Sequence, residues 1–251
     1  MGITMSPQDY ATAFRLLAAT ARHPENIGQV VEQRLLPRMP KQPTLLDVGA
    51  GSGKVAERLA PHFESLTLLE PNQDQISRFK HEKAKVLLAP LEQYHSSEKN
   101  ELVLCSHVMY HVPLSDWGGF IDRLMTFVRP GGYCIIVMAA ERGPTYELCR
   151  DFTDSVIFSE QVIATVKQKG LPHEVVATMS GFVAKTFEEM YTLCRFFVLE
   201  GCFTAAQVAA MSEDQLRGID EKIRAHAERC RGADGVYRLE QDEDLIILPK
   251  A

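Results

Sequence analysis

Apolar positions along the chain switch between a helical and a strand-like period. Over residues 6–20, Tyr10, Phe14, Leu17 and Ala18 fall at i, i+4, i+7 and i+8 behind a Ser6-x-x-Asp9 capping pattern, which predicts a helix. A second helix is predicted over Ile27–Leu36, and the proline-punctuated stretch Pro37–Pro43 reads as a linker. Short apolar runs then alternate with helical stretches. The pattern predicts strand Thr44–Val48, helix Lys54–Leu59, strand Leu66–Leu69, helix Gln73–Lys83 and strands Val86–Leu88 and Leu102–Cys105. Helix Trp117–Val128, a Pro130-Gly131-Gly132 turn and strand Tyr133–Met138 follow. Such alternation with short turns predicts an open, mostly parallel α/β sheet with helices on both faces.

The rhythm changes after Ala140. Thr145–Lys169 reads as two helical stretches, Glu174–Ala184 as a strand, Phe187–Leu199 as an apolar-faced helix and Ala205–Cys230 as one or two charged amphipathic helices. Two strand-like pieces, Val236–Leu239 and Asp244–Leu248, close the chain. The expected organisation is an N-terminal helical lid (1–40), a ligand-binding core (41–140), and a helical insert with closing strands (141–251) that sets substrate choice within the same domain.

Composition narrows the function classes. In 251 residues, 45% are apolar and 24% charged, enough for a sizeable core. Lys+Arg of 27 against Asp+Glu of 33 leave a net charge of -6, which disfavours a nucleic-acid partner and mildly favours a neutral or cationic small acceptor. No apolar run reaches the roughly 20 residues of a membrane span, and the start lacks a basic region before an apolar core, so the expected compartment is the cytoplasm. Gly2 with Ser6 formally fits a myristoylation pattern, which is read as chance. The six cysteines contain no C-x-x-C pair and read as buried thiols.

The chemistry is concentrated in the first strand-to-helix turn, Asp47-Val48-Gly49-Ala50-Gly51-Ser52-Gly53. Glycines there permit positive φ and a close approach of a ligand to bare backbone at a helix start. A P-loop would need a wider glycine spacing and Lys-Ser/Thr, and the dinucleotide fingerprint would place its third glycine where Lys54 stands. The spacing D-x-G-x-G-x-G within LLDVGAGSGKVAERLA instead resembles class I S-adenosylmethionine-dependent methyltransferases, and the next strand ends in Glu70, placed to accept hydrogen bonds from ribose hydroxyls. Asn100–His107 and Val128–Tyr133 resemble that family's fourth strand and its turn into the fifth. The resemblance implies a Rossmann-like class I methyltransferase fold with a seven-stranded sheet, and S-adenosyl-L-methionine as cofactor. Two positions depart from the family pattern. Leu88-Ala89-Pro90-Leu91-Glu92 stands where many members carry an adenine-binding Asp, so packing at Leu91 is expected to replace it. Glu101 replaces the usual Asp opening the fourth strand.

Both flanks resemble the histamine N-methyltransferase family, through Tyr10 and Phe14, Arg34–Pro37, Glu70–Ile76, His107–Val112 and Gln241–Leu248. That resemblance implies cofactor contacts at Glu70, Gln75 and Ser106, beside Asp47, Gly49, Gly51, Gly53, Pro71 and Leu91. It implies an acceptor among Tyr10, Phe14, His107, Tyr110 and Gln241, with His111 and Phe197 as further members that read first as packing residues. The family's polar amide is His107 here, its late asparagine is Gln241, and its acidic lid residue has only a loose counterpart between His23 and Glu25. These changes point to a related reaction on a substrate other than histamine.

His107 is the expected catalytic residue, orienting a nitrogen acceptor whose proton leaves to it or to water. His107 and His111 are four apart, a metal-like spacing on a helix, but no nearby acid completes a ligand set and no metal is expected. Glu240, Asp242, Glu243 and Asp244 read as a solvated acidic edge. The alternatives are O- or C-methylation of a small metabolite, and a module that binds the cofactor without catalysis. Oligomeric state is not legible.

Overall fold

The computed structural model describes residues 7–154 and 156–251, so Gly2 and Ser6 lie outside the described residues. Helices α1 (Pro7–Thr20) and α2 (His23–Val30) lead through a π-helical turn (Val31–Leu35) and a 3-10 turn (Leu36–Arg38) into β1 (Thr44–Val48). There follow α3 (Lys54–Leu59), β2 (Ser65–Leu69), α4 (Gln73–Ile76), β3 (Ala84–Leu87), β4 (Asn100–Ser106), α5 (Trp117–Thr126) and β5 (Val128–Ala139). The remainder is α6 (Gly143–Arg150), α7 (Ser159–Gln168), β6 (Glu174–Ala184), α8 (Phe187–Cys202), α9 (Ala205–Ala210), α10 (Glu213–Arg229) and β7 (Tyr237–Pro249).

The sheet has seven strands in the order β3-β2-β1-β4-β5-β7-β6. β1 to β5 pair in parallel, and β7 is antiparallel to β5 with Ala139 opposite Glu243 and Tyr133 opposite Pro249. Strand order reverses between β1 and β4, which puts the ligand crevice of an open α/β sheet at their carboxyl ends. This is the open, mostly parallel α/β sheet that the alternation of elements predicted, with the seven strands and Rossmann-like architecture that the methyltransferase resemblance implied.

The chain divides into two compact units. One holds His23–Ala139, Phe158–Thr178 and Glu243–Ala251. Its core joins Leu45, Leu66, Leu102, Leu104, Ile135 and Leu245 to Ile27, Val31 and Leu35. The expected lid boundary at residue 40 is therefore displaced: 23–40 belong with the sheet, because the apolar face of α2 and the turn after it enter that core. The bidentate pair of Arg58 with Glu32, at 2.6 and 2.9 Å, and the bond from His62 to Glu32 at 2.7 Å tie the same segment to α3 and the turn following it. The other unit holds the described residues up to Arg22, Ala140–Ile157 and Met179–Asp242. Its core gathers Leu148, Met190, Leu193, Cys194, Val198, Ile223 and Tyr237.

Three local expectations are corrected. The helix expected over Gln73–Lys83 stops at Ile76, and the chain turns so that Phe79 packs over Gly53. The Pro130-Gly131-Gly132 segment lies within β5, beside a register shift between Asn100 and Leu102. The two closing pieces form one strand, β7, because the backbone stays extended through the acidic residues, and residues 243–249 of it pair with β5. Glu243 (0% exposed) and Asp244 (3%) are thus buried, not a solvated edge, and Ser159 Oγ donates to Asp244 at 2.6 Å.

Glu101 has a structural role: it accepts from the Thr44 backbone N–H at 2.8 Å and pairs with Arg129 at 2.6 Å. All six cysteines are free, and all but Cys230 are buried. Among the described residues no helix is long and apolar enough to cross a membrane.

Candidate functional site

The turn after β1 is held by backbone. Gly49 and Ala50 N–H both donate to the Leu69 carbonyl, at 2.8 and 3.0 Å. Gly49, Gly51 and Gly53 have φ of 70°, 56° and 79°, a region costly to residues with a Cβ. Glycine here also serves the protein's own packing. A Cβ on Gly49 would lie 2.3 Å from Val108 Cγ2, and one on Gly53 2.3 Å from Phe79 Cδ2. At these two positions the neighbour that demands glycine is a side chain of the chain itself.

Glu70, 6% exposed, braces this turn: one oxygen accepts from Gly51 N–H and the other from Asn72 N–H, both at 2.8 Å. Each oxygen keeps further lone-pair capacity for a ligand hydroxyl. Asp47 is buried with Oδ2 unpartnered, and burial, reinforced by the charge of Glu70, pushes its carboxyl up to about 7. Ser106 Oγ, near the end of the adjacent β4, is likewise buried and unpartnered. Two unsatisfied buried polar atoms near neighbouring strand ends fit a polar ligand laid across the crevice. Pro71 is exposed and Gln75 half-buried beside α4. Leu91 is 2% exposed in a 3-10 turn, where its carbonyl accepts from Arg123 Nε at 3.0 Å.

His107 follows β4 directly, with φ of 56° and its N–H on the Val137 carbonyl at 2.9 Å. A non-glycine residue in this region is strained and points to a site. Its Nε2 lies 3.2 Å from Glu243 Oε1 and its Nδ1 3.4 Å from the Tyr110 hydroxyl, whose ring stacks on the imidazole with centroids 6.0 Å apart. The Tyr110 oxygen accepts from Ala139 N–H at 2.7 Å. Proton placement follows from these partners: Nε2–H donates to Glu243, leaving Nδ1 as the acceptor nitrogen. The His23 ring sits edge-on to His107, centroids 5.5 Å apart. Burial, then the neighbouring His107, depresses His23 to about 4, so it is neutral near pH 7.

The helix that would set His107 and His111 on one face does not form. The positive φ at His107 breaks any helix, and His111 ends a 3-10 turn, exposed. The donor set that does assemble is His23, His107 and Glu243, whose ligand-type atoms all lie within 4.8 Å of one another. Sequence reasoning missed Glu243 and gave His23 no role of its own. Glu243 was hidden in an acidic run, and its only signal was the position directly ahead of the apolar Leu245–Leu248 stretch. The other expected acceptor residues belong to the second unit. There Tyr10, Phe196, Phe197 and Phe182 form a chain of ring contacts with centroids 5.4, 5.8 and 5.1 Å apart. Phe14 is half-buried on α1, and Gln241 is 5% exposed on β7.

Among known proteins, a family model described as a methyltransferase domain matches residues 20–176. Nodulation protein S of Rhizobium tropici is 25% identical over 102 residues, covering 38% of this chain and 43% of that protein, so the chain spans less than half the length of this relative. A candidate methyltransferase of Bacillus halodurans C-125 superposes with a TM-score of 0.58 at 14% identity, over 90% of this chain and 99% of that one. The N-methyltransferase NodS of Bradyrhizobium japonicum, in complex with S-adenosyl-L-homocysteine, gives 0.51 at 15% identity, over 90% and 86%. A phosphoethanolamine N-methyltransferase of Haemonchus contortus, in complex with phosphomonomethylethanolamine and S-adenosylhomocysteine, gives 0.54 at 16%, over 90% and 52%. At such identities the likeness is one of fold.

Proposed function

We propose that this chain, which belongs to the methyltransferase-domain family and is an S-adenosylmethionine-dependent methyltransferase, acts on a nitrogen of a small molecule, an amine or an imidazole-type heterocycle. The observation that carries the reading is His107, fixed by the buried Glu243 immediately after the strand that bears Ser106. The N-methyltransferases of similar fold support nitrogen as the acceptor by analogy. The imidazole of His107, where the resembled family carries an amide, argues for an acceptor other than histamine.

The residues that would hold the cofactor are Glu70 toward hydroxyls, Asp47 and Ser106 toward polar atoms, Gln75 and Pro71 at the rim, Leu91 by packing, and the Gly49-Ala50-Gly51-Ser52-Gly53 turn by shape. When bound, S-adenosylmethionine supplies an electrophilic methyl group on a sulfonium. The chain's own task is then to position a neutral acceptor and keep water out, with effective molarity as the main lever. His107 Nδ1 is the atom that orients the acceptor, because its 3.4 Å contact with Tyr110 is long and an acceptor N–H can displace it. When the acceptor nitrogen gains its carbon bond it becomes cationic, and Nδ1 takes the released proton while Glu243 stabilises the imidazolium.

The same dyad suits a hydroxyl acceptor, which needs a base more than an amine does, and O-methylation is the second reading. A panel of amines, imidazoles, phenols and catechols incubated with 13C-methyl-labelled S-adenosylmethionine decides between them. A 13C-methyl resonance on nitrogen is expected. A product methylated on oxygen or carbon overturns the nitrogen reading, and product-cofactor binding without transfer to any member favours a non-catalytic module.

A further inference from the structure

We propose that His23, His107 and Glu243 together form a binding site for one divalent transition-metal ion of the zinc, cobalt or iron(II) class. Two imidazoles and one carboxylate come from three separate elements: the start of α2, the residue after β4, and the middle of β7. Glu243 Oε1 and His107 Nε2 are 3.2 Å apart, and the whole donor set falls within 4.8 Å. Metal–nitrogen and metal–oxygen bonds of about 2.0–2.2 Å place tetrahedral ligands roughly 3.3–3.5 Å from one another, so the His107–Glu243 pair stands near that separation and the whole set would have to contract from within 4.8 Å.

The surroundings are those of a ligand set. Glu243 is fully buried, and its backbone position is fixed opposite Ala139 in the sheet. Tyr110, itself held by Ala139 N–H, meets the other nitrogen of His107, so the ring has the outer partner that orients a metal-binding histidine. The His107 side chain remains 24% exposed, which leaves one side of the set open to a fourth ligand. Lys54 is the cation that opposes charge here, and the Glu243 carboxylate offsets it. Two imidazoles select against magnesium and calcium, which take oxygen donors.

A metal would replace the Nε2 proton of His107 and leave Nδ1–H to donate to Tyr110, so in the metal-loaded chain the metal's open position, not Nδ1, would hold the acceptor and the proton would leave to water. Three protein ligands leave an open position at which an acceptor's lone-pair atom could be held and its acidity raised. This proposal stands on the donor geometry and does not depend on which atom of the acceptor is methylated.

The test is titration of the chelator-treated full chain with Co2+, followed by visible absorption and equilibrium dialysis, with Zn2+ as competitor. One equivalent is expected to bind with ligand-field bands, and Zn2+ is expected to displace it. Loss of even an outer-shell partner weakens metal sites by about 10–100-fold, so H23A, H107A and E243Q should each weaken Co2+ by more than about tenfold. Binding of S-adenosylhomocysteine, measured in parallel, certifies the fold of each variant, and H23N replaces H23A if the latter fails that check. Absence of a 1:1 Co2+ complex in the wild-type chain, or undiminished binding in folded His23 and Glu243 variants, overturns the site. Failure of the nitrogen reading appears only in the labelled-product assay and leaves the Co2+ result unaffected.

Discussion

His107 and Glu243, 136 positions apart in the chain, meet at 3.2 Å between Nε2 and a carboxylate oxygen that solvent does not reach. The pair fixes the imidazole tautomer. Glu243→Gln keeps the shape and removes the charge, so it should lower kcat by about 10²-fold, the lower end of what a positioned acid–base group contributes. Steady-state kinetics on the acceptor found in the labelled screen, with product-cofactor affinity as control, checks this. An unchanged kcat would remove the dyad from the reaction.

Glu70 braces the glycine turn and is proposed to hold the cofactor's ribose hydroxyls. Its two oxygens hold the Gly51 and Asn72 N–H groups, each at 2.8 Å. Hydrogen bonds to a charged group are worth about 1.5–3 kcal/mol, so Glu70→Ala should weaken S-adenosylhomocysteine binding by about 10–100-fold. Calorimetric titration measures it, and wild-type affinity in the variant would show that the cofactor lies elsewhere.

The glycines separate backbone strain from crowding. Gly131 has φ of 81° with nothing within 4 Å of a built Cβ, whereas Gly49 has φ of 70° and a Val108 methyl at 2.3 Å. Gly131→Ala should cost about 1–2 kcal/mol, the left-handed penalty alone, and Gly49→Ala clearly more. Urea unfolding of the two variants provides the comparison. Equal losses would mean that Val108 gives way freely.

Asp47 links stability to pH. Its carboxyl is raised from 3.8 to about 7, so between these values the folded chain binds more protons than the unfolded one. Stability from this group is therefore largest at low pH and is lost as pH rises through about 7. Asp47→Asn should remove a fall of about 2–3 kcal/mol between about pH 5 and about pH 8, read as the difference between variant and wild-type unfolding curves without cofactor. A variant whose curve parallels the wild type would mean that Asp47 is ionised throughout.

Local pattern made the sheet legible. Strand β1, the glycine turn, α3, β6 and α8 lie within a few residues of where the apolar period puts them, because each is encoded in contiguous residues. Element ends were less legible. Helix α4 ends at Ile76 and Phe79 packs on Gly53, a contact absent from helical periodicity, and β7 begins at Tyr237, ahead of the residues that pair with β5.

The sequence by itself determined how Asp47, the three glycines and Glu70 stand together, since they lie on one strand-turn-helix-strand unit whose spacing is its geometry. Only the tertiary structure decided what stands around His107. His23 and Glu243 reach it from α2 and β7 through sheet pairing and core packing, and the positive φ at His107 interrupts the helix that the His107/His111 spacing would need. Long-range pairing, not local propensity, sets which charged groups are buried together. For that reason an acidic run that reads as solvated yields the one carboxylate on which the imidazole depends.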